Sequence, residues 1–161
     1  MSEQEILNLL KNNEFKKAKE LIESLLKTER ENLTYIFYYG LILANNRRYK
    51  EAIPFFEKIL LADRNHYDSN FNIAGCYQGL LIFDKAIESY KNCSKIDLNK
   101  FEPYHQIGVC YRQLREYEDS IIFLNKALKI SVNAKSLYVL GNVYRENGQF
   151  EEARKSFEKS I

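Results

Sequence analysis

The chain has 161 residues, 45% hydrophobic and 29% charged, with 24 basic and 22 acidic side chains and a net charge of +2. This balance fits one folded globular domain and not a disordered chain, and it offers no electrostatic basis for binding nucleic acid or an anionic membrane. The longest apolar runs fall far short of a bilayer span, and the opening MSEQEILNLL lacks the basic-then-apolar order of a leader. Three cysteines, an odd number without CxxC spacing, point to a reduced, cytoplasmic protein. With six Gly and two Pro the chain has few breakers, so a mostly helical fold is expected.

Along the chain one pattern returns five times. It begins with Ile6, Leu9, Phe15, Ala18 and Ile22. The second copy is Gly40, Leu43, Tyr49, Ala52 and Phe56, and the third is Ala74, Tyr77, Phe83, Ala86 and Tyr90. The fourth is Gly108, Tyr111, Tyr117, Ser120 and Leu124, and the fifth is Gly141, Tyr144, Phe150, Ala153 and Phe157. From Gly40 through Ala74 and Gly108 to Gly141 the spacings are 34, 34 and 33.

Within a copy the apolar period is helical. Ile36, Tyr39, Gly40 and Leu43 fall at i, i+3, i+4 and i+7, and so do Ala52, Phe55, Phe56 and Ile59. A short polar link such as NNRR or ENGQ separates the two helical stretches. Each copy therefore predicts a helix–turn–helix hairpin. Its small residues let the helices approach, and its aromatics fill the space beside them.

A 34-residue helical hairpin with this order of small and aromatic residues resembles the tetratricopeptide repeat, over essentially the whole chain. The resemblance implies an all-α, right-handed solenoid of antiparallel hairpins, a single domain over 1–161. Its repeats are expected at about 1–32, 33–66, 67–100, 101–133 and 134–161. Two features depart from the family pattern. Arg64, Leu98 and Val132 stand where a proline is usual, and Ile6 stands where a small residue is usual. Pro103 is expected in the first turn of a first helix, where its missing N–H costs nothing, and Pro54 slightly too deep in a second helix, with a bend. Tyr39, Tyr49, Tyr77, Tyr90, Tyr104, Tyr111, Tyr117 and Tyr144 occupy packing slots.

In the family the first helices line a concave groove that takes a peptide or a partner's helix. Carried over by register, the groove positions are Thr34, Phe37, Tyr38, Leu41 and Asn45, then Asp68, Phe71, Asn72, Gly75 and Gln78. They continue with Glu102, His105, Gln106, Val109 and Arg112, then Lys135, Tyr138, Asn142 and Arg145. Phe37, Tyr38, Phe71 and Tyr138 are candidate anchors, or they pack on one another. Arg112, Arg145 and Lys135 form a candidate site for an acidic group, against the plainer reading of solvated surface charges. Asn72, Gln106 and Asn142 could bond a peptide backbone. The two-carboxylate clamp that holds chaperone tails needs a Lys and Asn set that no three consecutive repeats supply, so that ligand is not expected.

No catalytic constellation is found. His66 and His105 lack a nucleophile or carboxylate at helical spacing, and Cys76, Cys93 and Cys110 read as buried packing residues. No phosphate loop, HExxH or GxSxG occurs, so no enzyme activity, metal or cofactor is expected. The expectation is a protein-binding scaffold or adaptor. The alternatives are a substrate-presenting arm of a larger glycosyl- or sulfotransferase, with the chain as its N-terminal part, and a self-assembly module that stacks through an uncapped end.

Overall fold

The computed structural model describes residues 2–161. Met1, where the first repeat was expected to start, lies outside the described residues. The described residues form α-helices and no strand. The first helices of the hairpins are α1 (Ser2–Lys11), α3 (Leu33–Asn45), α5 (Tyr67–Gly79), α7 (Glu102–Gln113) and α9 (Ala134–Glu146). The second helices are α2 (Phe15–Thr28), α4 (Tyr49–Ala62), α6 (Phe83–Ile96), α8 (Tyr117–Ile130) and α10 (Phe150–Glu158). They gather into two compact units, one ending at Leu80 and one beginning at Leu81.

Most first helices start with a local device. The Asn32 side chain accepts from Thr34 N at 3.1 Å and Tyr35 N at 3.2 Å, and Asn133 accepts from Ser136 N at 2.8 Å. His66 does the same for α5 through Nδ1, which accepts from Ser69 N at 3.1 Å. In α7 Pro103 stands in the first turn, as expected. Pro54 sits within α4, which runs through it without interruption.

The link between paired helices is a left-handed turn. Asn13, Arg47, Leu81, Arg115 and Gly148 all have φ between 58° and 76°. In four hairpins the next residue's N–H donates to a carbonyl five residues back: Glu14 to Leu9, Arg48 to Leu43, Glu116 to Tyr111 and Gln149 to Tyr144, at 2.8–3.0 Å. These bonds satisfy carbonyls that the ending helix leaves open. They also start each second helix without a side-chain cap.

Between repeats the usual proline is replaced by an aspartate turn. Asp63 accepts from Asn65 N at 2.9 Å, and Asp97 accepts from Asn99 N at 3.0 Å. Asn70, 4% exposed, secures the first of these links by donating to the carbonyls of Arg64 and His66.

The recurring small residues mark the crossing within a hairpin. A Cβ on Gly40 would lie 3.0 Å from the Phe56 ring. One on Gly108 would lie 2.6 Å from Leu124, and one on Gly141 would lie 2.6 Å from the Phe157 ring. Ser120 replaces the alanine of the other copies and donates to Gly108 O at 2.7 Å, across the same crossing. In the first unit Ile6, the residue out of pattern, is fully buried with Ala18, Ile22, Tyr35 and Ile42. Beside it pack Leu43, Ala52, Phe56, Ile73 and Cys76. In the second unit Leu124, Leu140 and Val143 form the matching core. Of the eight tyrosines expected to pack, only Tyr90 is fully buried. The others keep part of the ring or hydroxyl at the surface.

Two opposite stability changes follow. Arg115→Gly relieves a left-handed backbone at an exposed turn and should stabilise by ~1 kcal/mol. Gly108→Ala pushes a methyl into the buried Leu124 and should destabilise by ~1–3 kcal/mol. Urea unfolding followed by circular dichroism checks both signs.

Candidate functional site

In the first unit the groove candidates lie on α3 and α5. Phe37 is half-buried, with its ring edge-on to Phe56 at 5.9 Å and to His66 at 5.5 Å. It therefore belongs partly to the core, and so does Leu41, which packs on the same cluster. One edge of its ring holds α3 against the start of α5, which is the packing alternative named for it, and its other side remains available. Tyr38 stands 5.9 Å from Phe37, and its hydroxyl faces Glu3 at 3.5 Å. Burial, with Glu3 nearby, raises the Tyr38 phenol above its ordinary value. Phe71 stacks on Tyr67 with centroids 6.0 Å apart and planes 13° apart. Asn72 donates to Asp68 O at 2.7 Å. Asn45 is exposed at the last turn of α3, and Gln78 is half-buried near the end of α5.

In the second unit the candidates lie on α7 and α9. His105 Nδ1 and Ser136 Oγ are 2.9 Å apart, which joins the two first helices. Burial and Lys135 lower the His105 pKa below its ordinary value, against the opposing pull of Glu102. Gln106 is half-buried on the same helix. Lys135, Tyr138, Asn142 and Arg145 lie along one stripe of α9. Tyr138 is 58% exposed, and its ring is 5.7 Å from Phe157.

Two candidates, Asn142 on this stripe and Arg112 on α7, are bonded within the protein. Asn142 is only 6% exposed; its Nδ2 donates to Tyr138 O at 3.1 Å and its Oδ1 accepts from Arg145 at 2.8 Å. Its amide is thus bonded inside the protein. Arg112 grips Glu146 with two parallel bonds, Nε–Oε2 at 3.0 Å and a second from its terminal nitrogen to Oε1. That carboxylate removes Arg112 from the expected basic trio and leaves Arg145 and Lys135. Glu146 was absent from the candidates because the two arginines were matched by register. Its place beside Arg145, 34 residues after Arg112, was the available signal.

The cysteines are buried. Burial alone pushes the Cys76 thiol up to about 11 and the Cys110 thiol up to about 12, which makes both poor nucleophiles at neutral pH. Among the described residues no group of three or more His, Cys, Asp or Glu could hold a metal ion. No described helix is long and apolar enough to cross a membrane.

Family models match along almost the whole length: tetratricopeptide-repeat models over residues 4–69 and 101–161, and a model of the same repeat type, described as anaphase-promoting complex (cyclosome) subunit 3, over 45–127. The chain belongs to the tetratricopeptide-repeat family. No curated protein matches it significantly in sequence. Among solved structures it is similar to MamA residues 41–end from Desulfovibrio magneticus RS-1, at 18% identity and a TM-score of 0.91, covering 99% of this chain and 90% of that one. A second MamA crystal structure matches at 18% identity and a TM-score of 0.86, covering 95% and 90%. YrrB, described as a TPR protein with an unusual peptide-binding site, matches at 20% identity and a TM-score of 0.79, covering 97% and 81%. At such identities these likenesses concern the fold, an all-α tetratricopeptide-repeat solenoid.

The Arg112–Glu146 pair gives this repeat fold a pH signature. The hydrogen bond from Arg112 holds the Glu146 carboxyl below its ordinary 4.5. Its contribution is therefore full above that value and is lost as pH falls through the depressed one. Both side chains are partly exposed, so the contribution should be at most ~1 kcal/mol. Glu146→Gln should unfold at lower urea than the wild type at neutral pH, and the difference should close in acid.

Proposed function

We propose that this tetratricopeptide-repeat protein is an interaction scaffold that holds a peptide or protein segment against the exposed faces of its first helices. One observation carries the reading. Tyr138 leaves most of its ring in solvent at the middle of α9, with Lys135 and Arg145 on the same stripe. A large ring between two cations suits a partner that brings an apolar side chain beside a carboxylate. In the first unit Tyr38 and Phe71 present comparable half-buried rings. Peptide binding in YrrB supports the same reading by analogy of fold.

Tyr138→Ala and Phe71→Ala should each keep the helical content of the wild type. Each should weaken partner binding by ~1–2 kcal/mol, about tenfold in affinity. Affinity capture from the source cells, with wild type and both variants side by side, checks this. A partner retained equally by all three would place docking away from the first-helix faces. Unfolding of Phe71→Ala would make Phe71 a core residue.

A further inference from the structure

On the side of the second helices, the first unit has an open cleft of 640 Å³ between α2 and α4. Ile36 and Tyr39 of α3 form its floor, with Leu26 on one wall and Pro54 and Phe55 on the other. The Tyr39 and Phe55 rings are 4.9 Å apart, so that wall is aromatic. The volume lies within the roughly 300–1,000 Å³ of clefts that enclose ligands. Along α2 the lining runs from Glu23 to Lys27, about one helical turn, and Arg30 extends it just past the helix end.

The rim is basic. Lys27, Arg30 and Lys58 border the cleft, and Lys58 pairs with Glu31 at 2.7 Å. Lys27 and Arg30 have no hydrogen bond or ion pair with another described residue. The one carboxylate in the lining, Glu23, is already engaged: it accepts from the Tyr39 hydroxyl at 2.7 Å and lies 3.5 Å from Lys19. The Lys27 charge also acts on Glu23, so two cations without a salt bridge, one of them within reach of that carboxylate, stand over an apolar floor.

The second unit contains the same cleft in the same repeat register, at 550 Å³. Leu128, Leu137, Leu140 and Lys159 take the places of Leu26, Ile36, Tyr39 and Lys58. Ser156 stands at the position of Phe55, and Val132 at that of Arg30. The geometry thus comes with the repeat. The aromatic wall is particular to the first unit; the second cleft carries Lys155 at the place of Pro54, beside Lys159.

We propose that the cleft between α2 and α4 is a docking site, separate from the first-helix faces, for an acidic amphipathic helix of a partner protein. Helical walls have no open backbone edge, so a strand laid there would leave its own N–H and C=O groups without protein partners. A helix satisfies its own. Two bulky apolar side chains one turn apart would enter between Leu26 and Phe55, and flanking carboxylates would meet Lys27 and Arg30.

The test uses the full chain and a fluorescein-labelled alanine–glutamate helix carrying a leucine and a phenylalanine one turn apart, followed by fluorescence anisotropy. Saturable binding is expected. It should weaken about tenfold or more in Lys27→Glu/Arg30→Glu and in Phe55→Ser, which copies the second unit's cleft, and should be unchanged in Tyr138→Ala. Circular dichroism confirms that each variant is folded, and the charge variant, confined to exposed residues, remains informative if Phe55→Ser unfolds. Three results would overturn the proposal: no saturable binding, equal binding when lysines replace the peptide's glutamates, or loss of binding in Tyr138→Ala, which assigns the peptide to the first-helix face instead.

Discussion

The distance between the two helices of a hairpin is set where a glycine faces a buried side chain. Gly40 lies under Phe56, where a Cβ would be a tight fit, and Gly108 lies under Leu124 and Gly141 under Phe157, where there is no room for one. That contact brings the helices close enough for the left-handed turn to close in so few residues, and the turn in turn fixes where the second helix starts. The hydrogen bond from Ser120 to Gly108 O crosses at the same place and adds direction to a contact otherwise made by shape. Side chains that point away from the crossing are those left for recognition.

Because the crossing repeats, most large residues are committed to it, and few remain to carry function. The first-helix faces keep Tyr38, Phe71 and Tyr138 partly or largely in solvent. Other polar groups on these faces are bonded within the protein: Asn72 to Asp68, His105 to Ser136, Asn142 to Arg145 and Arg112 to Glu146. A bonded amide or guanidinium must give up its partner before it can serve a ligand, which removes much of what it would gain. A ring that already packs along one side can still offer its exposed side without breaking a hydrogen bond. In the proposed function, recognition at the first-helix faces would therefore rest on aromatic contact, with Lys135 and Arg145 steering.

The fold was legible in the sequence because its determinants recur. Gly40, Gly108 and Gly141, with their ring or leucine partners, keep one register through the chain, and the helical period fills the space between them. The turns were less legible. A left-handed residue is read most easily from glycine, and only Gly148 supplies one; Asn13, Arg47, Leu81 and Arg115 adopt the same φ under the tertiary constraint of the crossing. The missing prolines were legible in the sequence, but not that Asp63 and Asp97 would take over two of those links through their side chains. The candidate site was legible by position and not by state. Register placed Arg112, Asn142 and Phe37 on first helices, but it could not say that Glu146, Arg145 and Phe56 would occupy them. Those partners follow from rotamers and neighbouring helices, which a repeat pattern does not encode.

The two clefts on the second-helix side extend the same logic. A feature that every repeat generates, such as a gap between successive second helices over the first helix below, says nothing about partners by itself. Information enters where one copy departs from the others at positions the crossing does not need. Arg30 against Val132 is a departure of that kind, since that position lies outside the helix–helix contact that closes the hairpin, whereas Phe55, replaced by Ser156, also packs on Tyr39 and beside Gly40 across the crossing. A position such as that of Arg30 is free to vary at little cost to folding. Its guanidinium is therefore better accounted for by what it can bind than by what it holds up.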